Sequence, residues 1–284
     1  MEIRKASSYG FCFGVKRAIK LAEKNRGSIT IGPLIHNQKE IDRLDLDFNV
    51  KVENNINNVE SKSSVIIRTH GIPKNDFNYF KNLDVNLIDA TCPFVKKPQQ
   101  ICEEMSKQGY DIVIFGDKEH PEVKGVASYC SSNYQIVINK EEIKNINSNT
   151  KVAVISQTTK NVNEFLNIVN HLIEICHEVR VFNTICNATF ENQKAAMALA
   201  KEVDIMIVVG GKQSSNTKQL LNISLKYCKD SYCVEDEKEL KNEWFANKKI
   251  CGITAGASTP DWIINNVENS INKIGKNQEK ENIN

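Results

Sequence analysis

The sequence predicts an α/β protein made of similar lobes with parallel sheets, and three observations carry that reading. Short β-branched runs alternate with amphipathic helical stretches along the whole chain. Each run that ends in unusual chemistry ends in a turn carrying Gly, Ser, Thr, His or Cys, the place where ligands bind in open α/β sheets. Three cysteines in such turns, Cys12, Cys92 and Cys186, are separated by 80 and 94 residues, a coarse period that implies three α/β lobes around a shared centre. The lobes are expected at 1–91, 92–185 and 186–271, followed by a frayed polar tail at 272–284.

The first element is "YGFCFGVKRAIKLAE". Val15, Ala18, Ile19 and Ala22 mark one buried helix face, while Lys16, Arg17, Lys20, Glu23 and Lys24 face water. Cys12 lies just before this helix, where the positive end of the dipole lowers a thiol pKa and Gly10 and Gly14 let a ligand approach. A free cysteine is most often a small buried hydrophobe, and on this segment alone both readings stand. The strand runs follow in order. "SITIGPLIHN" ends at His36, "SVIIRTHGIP" at His70, and "NLIDATCP" at Cys92 with Pro93 in the first helical position. "YDIVIFGDKEHPE" ends at His120, "KVAVISQTT" at Thr158, and "EVRVFNTIC" at Cys186 before an Ala-rich helix. "DIMIVVGGKQSSN" and "KICGITAGAST" complete the series, and Asn-rich 53–58 and 145–149 read as loops.

Charge excludes little: 37 basic and 35 acidic side chains nearly balance across 284 residues, and no long basic block suggests a polyanion track, so nucleic acid is not an expected partner. The apolar runs are strand-sized and the N-terminus has no signal-like core, so the chain is expected to be cytoplasmic with no membrane partner. Nine cysteines in a reducing compartment point to metal ligation plus spares. Cys102, Cys176 and Cys228 fall in helical patterns, Cys233 and Cys251 in strands, and Cys130 in a polar segment, and all six read as spares.

Three thiolates without a fourth suit a [4Fe–4S] cluster with one open iron, or a three-ligand zinc site. Single cysteines spread over distant lobes are unlike the local pairs of zinc ribbons, which favours the cluster. An anion pocket surrounds it in this reading. "GGKQSSNTKQLL" opens a helix with Ser214 and Ser215, and "TAGASTPDWII" repeats the device with Ser258, each able to act as a helix cap or an anion cradle. Protonated His36, His70 and His120 would add charge, so affinity for an anion should fall as pH rises through neutrality. Glu122 in "HPEV" is the candidate acid, with a neighbouring anion raising its pKa and Thr158 as relay; its alternative is an exposed loop carboxylate.

"YGFCFGVKRAI", "GPLIHN", "RTHGIP", "ATCP", "HPEVKG", "SQTT", "TICNAT", "GGKQSSNT" and "TAGASTPDW" occur in the order found in the 4-hydroxy-3-methylbut-2-enyl diphosphate reductase family, which the chain resembles from about residue 9 to 266. The resemblance implies three lobes in pseudo-threefold arrangement around one [4Fe–4S] cluster per chain, held by Cys12, Cys92 and Cys186. It implies His36, His70, His120, Thr158, Ser214, Ser215, Asn216 and Ser258 as substrate ligands, with Glu122 as proton donor through Thr158. The implied reaction is a two-electron reductive dehydroxylation to isopentenyl and dimethylallyl diphosphate, fed by ferredoxin or flavodoxin. Two positions depart from the family pattern: Gln99 stands where relatives usually have histidine, and Asn192 where they usually have arginine.

Overall fold

In the computed structural model, which describes residues 1–281, with side chains through 276, strands and α-helices alternate except between β3 and β4, β7 and β8, and β11 and β12, where short 3-10 turns stand in for the helix. The chain opens with β1 (Glu2–Lys5) and α1 (Phe13–Lys24). Next come β2 (Ile29–Ile31), α2 (Gln38–Phe48), β3 (Lys51–Glu53), β4 (Ser64–Ile67), α3 (Lys74–Asn82), β5 (Asn86–Asp89) and α4 (Pro93–Lys107). They are followed by β6 (Asp111–Phe115), α5 (Pro121–Ala127), β7 (Tyr134–Val137), β8 (Lys151–Ser156), α6 (Val162–Ile175), β9 (Glu178–Val181) and α7 (Asn187–Ala200). The last stretch holds β10 (Ile205–Val209), α8 (Ser215–Leu225), β11 (Ser231–Val234), β12 (Ile250–Ala255) and α9 (Asp261–Glu281).

The strands form three four-stranded parallel sheets, β3-β2-β4-β5, β7-β6-β8-β9 and β11-β10-β12-β1. Written this way the sheets share one order: second strand, first, third, fourth. In the last sheet the fourth place is filled from the other end of the chain. β1 therefore leaves the segment 1–91 in which the sequence reading places it and lies beside β12, with Glu2 opposite Ile250 and Lys5 opposite Ile253. The reason is that Cys251–Ala255 of β12 are wholly buried, and a buried strand needs both edges paired.

Both faces of these sheets are covered, which explains the continuous apolar runs. On the sheet containing β6, Ile112, Ile114, Ala153 and Ile155 pack on one face and Val113, Phe115, Val152 and Val154 on the other. The chain forms two compact units. One comprises residues 1–13, His36–Glu40 and the segment from Asn187, and contains the sheet with β1; the other comprises Gly14–Ile35 and Ile41–Cys186, and contains the remaining two sheets. The expected polar tail continues α9 from 272 as far as Glu281, because buried Ile271 and then Ile274 pack on the core of this sheet; 282–284 lie outside the described residues. Among the described residues, no helix is long and apolar enough to cross a membrane.

Candidate active site

The repeated strand order places the three cysteines identically. Each follows the fourth strand of its sheet and precedes a helix: β1–Cys12–α1, β5–Cys92–α4 and β9–Cys186–α7. Each backbone N–H donates to the carbonyl two residues beyond the third strand: Cys12 to Ala257 at 3.2 Å, Cys92 to Thr69 at 3.0 Å and Cys186 to Thr158 at 2.9 Å. All three thiols are half-buried. A Cβ on Gly14 would meet Cys92 Sγ at 2.5 Å, so the helix that starts beside Cys12 can pass the Cys92 sulfur only with glycine there. Arg17, which the sequence reading sends to water, instead donates to the carbonyls of Asp89 and Thr91 just before Cys92. Among the other six cysteines, burial pushes the Cys251 thiol up to about 12 and Cys233 up to about 11. Cys176 and Cys228 sit just beyond α6 and α8 rather than within them.

In the unit with two sheets, five predicted residues form one chain of contacts. The rings of His70 and His120 meet edge to face with centroids 5.4 Å apart. His120 caps α5, its Nδ1 accepting from the Glu122 N–H at 3.2 Å. A ring that accepts at Nδ1 carries its hydrogen on Nε2 and is neutral, so the expectation of a charged imidazolium is corrected for His120. Glu122 is 2% exposed, not a surface loop carboxylate. Thr158 donates to it twice, from N–H to Oε1 and from Oγ1 to Oε2, each at 2.7 Å. Burial holds the Glu122 carboxyl above the usual carboxylate range, outweighing the two Thr158 hydrogen bonds; desolvation takes the part that the sequence reading gives to a like charge. The Thr158 carbonyl then accepts from Cys186, which closes the chain.

The unit with the third sheet holds the other predicted ligands. Ser214 caps α8 by accepting from the Thr217 N–H at 3.4 Å, with Ser215 half-buried beside it. Asn216 is 3% exposed, and among the described residues neither its Nδ2 nor its Oδ1 has a hydrogen-bond partner. Burying an amide without partners is costly, which makes Asn216 a candidate for contact with a bound ligand. A Cβ on Gly211 would lie 2.5 Å from the His36 carbonyl oxygen, so the first turn of the cradle and the His36 segment touch through backbone. Ser258 is half-buried next to Ala257, the partner of Cys12. Two nearby lysines are paired, Lys39 with Asp236 and Lys212 with Glu239 at 2.5 Å, and the neutral donors Ser214, Ser215 and Asn216 stand at the start of α8.

A family model described as LytB protein matches residues 3–272. The chain belongs to the LytB family. It is 61% identical over 274 residues to the 4-hydroxy-3-methylbut-2-enyl diphosphate reductase of Helicobacter pylori strain Shi470, covering 96% of this chain and all of that one. It is 60% identical to the enzyme of the same name from Campylobacter hominis over the same span. A solved structure of (E)-4-hydroxy-3-methyl-but-2-enyl diphosphate reductase, described as the terminal enzyme of the non-mevalonate pathway, superposes with a TM-score of 0.70 at 39% identity, covering 96% of this chain and 99% of the other. The reductase structure from Plasmodium falciparum gives 0.87 at 26% identity, covering 95% and 87%.

Within this LytB chain the two departures are buried and packed. Gln99 lies beneath the His70 turn, its Nε2 2.8 Å from where a Cβ on Gly71 would be. Asn192 accepts from Ser8 Oγ at 2.6 Å. Sequence reasoning missed Glu40, which is 1% exposed and accepts from Trp262 Nε1 at 3.0 Å, fastening the His36 segment to α9. Its signal was the tryptophan beside "TAGASTPDW", whose indole needs an acceptor when partly buried.

Proposed function

We propose that this chain reduces (E)-4-hydroxy-3-methylbut-2-enyl diphosphate to isopentenyl and dimethylallyl diphosphate. In the balanced reaction the allylic alcohol takes up two electrons and two protons, its C–O bond breaks and water leaves. The observation that carries the reading is the threefold-repeated cysteine N–H hydrogen bond, one copy of which ends on the Thr158 that also holds Glu122. The residues fit an iron–sulfur cluster: three half-buried thiols stand in equivalent turns, a glycine makes room beside one sulfur, and no fourth thiol shares the setting among the described residues. When bound through Cys12, Cys92 and Cys186, a [4Fe–4S] cluster supplies electrons and one Lewis-acidic iron.

The protein side chains do the rest. Asn216, Ser214, Ser215 and Ser258, with His36, His70 and His120, hold the diphosphate, His120 donating from Nε2 as a neutral ring. Burial raises the Glu122 pKa and so favours its acid form; when protonated, Glu122 donates to Thr158 Oγ1, reversing the hydrogen bond of the carboxylate form, and the Thr158 hydroxyl turns to pass its own hydrogen toward the departing oxygen. Burial of Glu122 and Thr158 keeps bulk water from short-circuiting that transfer. Ferredoxin or flavodoxin would deliver the electrons in the cell.

Anaerobic turnover of the allylic diphosphate with reduced methyl viologen tests this. Oxidation of the dye matched by both isoprenoid diphosphates supports it. A chain with a full iron and sulfide complement that leaves the substrate untouched overturns it.

A further inference from the structure

Two thiols that the site does not use face each other in the second lobe. Cys102 lies on α4 ten residues past Cys92, about 15 Å along the helix, and is fully buried. Cys130 follows α5 and is half-buried. Both pack in one apolar core with Met105, Tyr110 and Ala127, and their side chains share a hydrogen bond. The segment carrying Cys130 is pinned over α4 at a second point. Ser132 Oγ donates to the Tyr110 carbonyl at 2.6 Å and to Ser106 Oγ at 3.1 Å, and Cys130 N–H is tied to the Ala127 carbonyl at 3.0 Å. Ser106 is one helical turn from Cys102, so a sulfur pair and a hydroxyl pair lie side by side across the same contact.

We propose that Cys102 and Cys130 form a reversible disulfide site oxidised by hydroperoxides, separate from the three cysteines of the active site. The two thiols differ in a way that assigns their parts. Hydrogen bonds from Cys102 and Ser106 hold the half-buried Cys130 below the usual thiol range, whereas its bond to Cys130 and its burial hold Cys102 above that range. Cys130, as thiolate, attacks one peroxide oxygen; the O–O bond breaks, Cys130 becomes a sulfenic acid and hydroxide leaves. Cys102 then attacks the sulfenic sulfur, the S–S bond forms, the S–O bond breaks and water leaves. In sum, two thiols and hydrogen peroxide give one disulfide and two waters, with the two electrons drawn from sulfur.

The test uses the holoenzyme. It is treated with one equivalent of hydrogen peroxide, blocked with N-ethylmaleimide, digested and mapped by mass spectrometry. A linked Cys102–Cys130 peptide is expected, lost on adding dithiothreitol and more abundant than any link involving Cys12, Cys92 or Cys186. In Cys102→Ser the link should vanish and dimedone should label Cys130 instead. Recovery of Cys130 fully alkylated while the active-site cysteines are oxidised overturns the proposal. So does a parent protein in which Cys130 reaches the sulfinic acid beside a free Cys102.

Discussion

The turns after β6 and β8 and the turns after β10 and β12 occupy matching places in their sheets, yet they carry opposite chemistry. His120 and Ser214 each lie five residues past the first strand of their sheet, and each caps the next helix. Even the glycine that ends the first strand makes the same bond in both, Gly116 to Val137 and Gly210 to Val234, each at 2.9 Å. One turn pair, however, buries a carboxyl against a threonine hydroxyl, and the other buries an amide that has no hydrogen-bond partner among the described residues. The backbone repeat sets where atoms lie, and the side chains at matched places decide which chemistry a turn can offer, proton transfer in one pair and anion binding in the other under the proposed function.

The comparison breaks most completely at the cysteines, where the lobes are alike. Replacing Cys12, Cys92 or Cys186 with serine, one at a time, should abolish cluster assembly, whereas Cys176→Ser and Cys251→Ser should keep it; iron content and visible absorbance decide. Normal iron in Cys186→Ser would undo the equivalence. Next comes the proton-moving turn. Glu122→Gln should keep the cluster and substrate binding while turnover falls by about 10²–10⁴-fold. The same variant has a stability signature. Because the folded Glu122 binds its proton more tightly than the unfolded chain does, the parent's stability is fullest below the ordinary carboxylate range and declines as pH rises through the raised folded value. Urea titrations of the Gln variant should lack that decline.

In the anion-holding turn, Asn216→Leu should weaken diphosphate binding yet leave the substrate-free fold as stable or up to about 1–3 kcal/mol more so, since it removes a buried amide without partners. Calorimetry with pyrophosphate and urea melts would read the two effects separately. A large stability loss would mean that the amide supports the fold instead. The smallest effect is expected at the latch of the His36 segment. Trp262→Phe leaves Glu40 without the indole donor and should cost about 1 kcal/mol, with substrate KM raised more than kcat is lowered.

The interior strands were legible because a strand buried on both faces has nowhere to put a polar side chain. "DIVIF", "KVAVIS" and "IMIVV" could be little else. The strands that escaped notice, β1 (EIRK), β3 (KVE) and β7 (YQIV), are all edge strands, short and partly exposed, whose composition resembles a loop. The cysteine turns showed through their shared helix-start setting. Burial of Glu122 did not, because "DKEHPEVK" surrounds it with exposed Lys118, Glu119 and Lys124, and only the inward face of a two-turn helix removes it from water. The His120 cap was equally hidden, since histidine is not among the usual residues for that task.

The place of β1 bears on how the protein can be made. Synthesis runs from the N-terminus, and domains fold as they emerge. Cys12 is among the first residues out of the ribosome, yet the carbonyl that fixes its turn belongs to Ala257, and its strand has no neighbour until β12 exists. For most of translation the first cysteine therefore waits without a seat, while Cys92 and Cys186 find theirs within nearby sequence. If Cys12, Cys92 and Cys186 hold the cluster as proposed, a growing chain cannot present all three in their folded turns until β12 has been made. A message cut short before β12 yields a polypeptide with all three cysteines but without the carbonyl and the strand that fix the Cys12 turn.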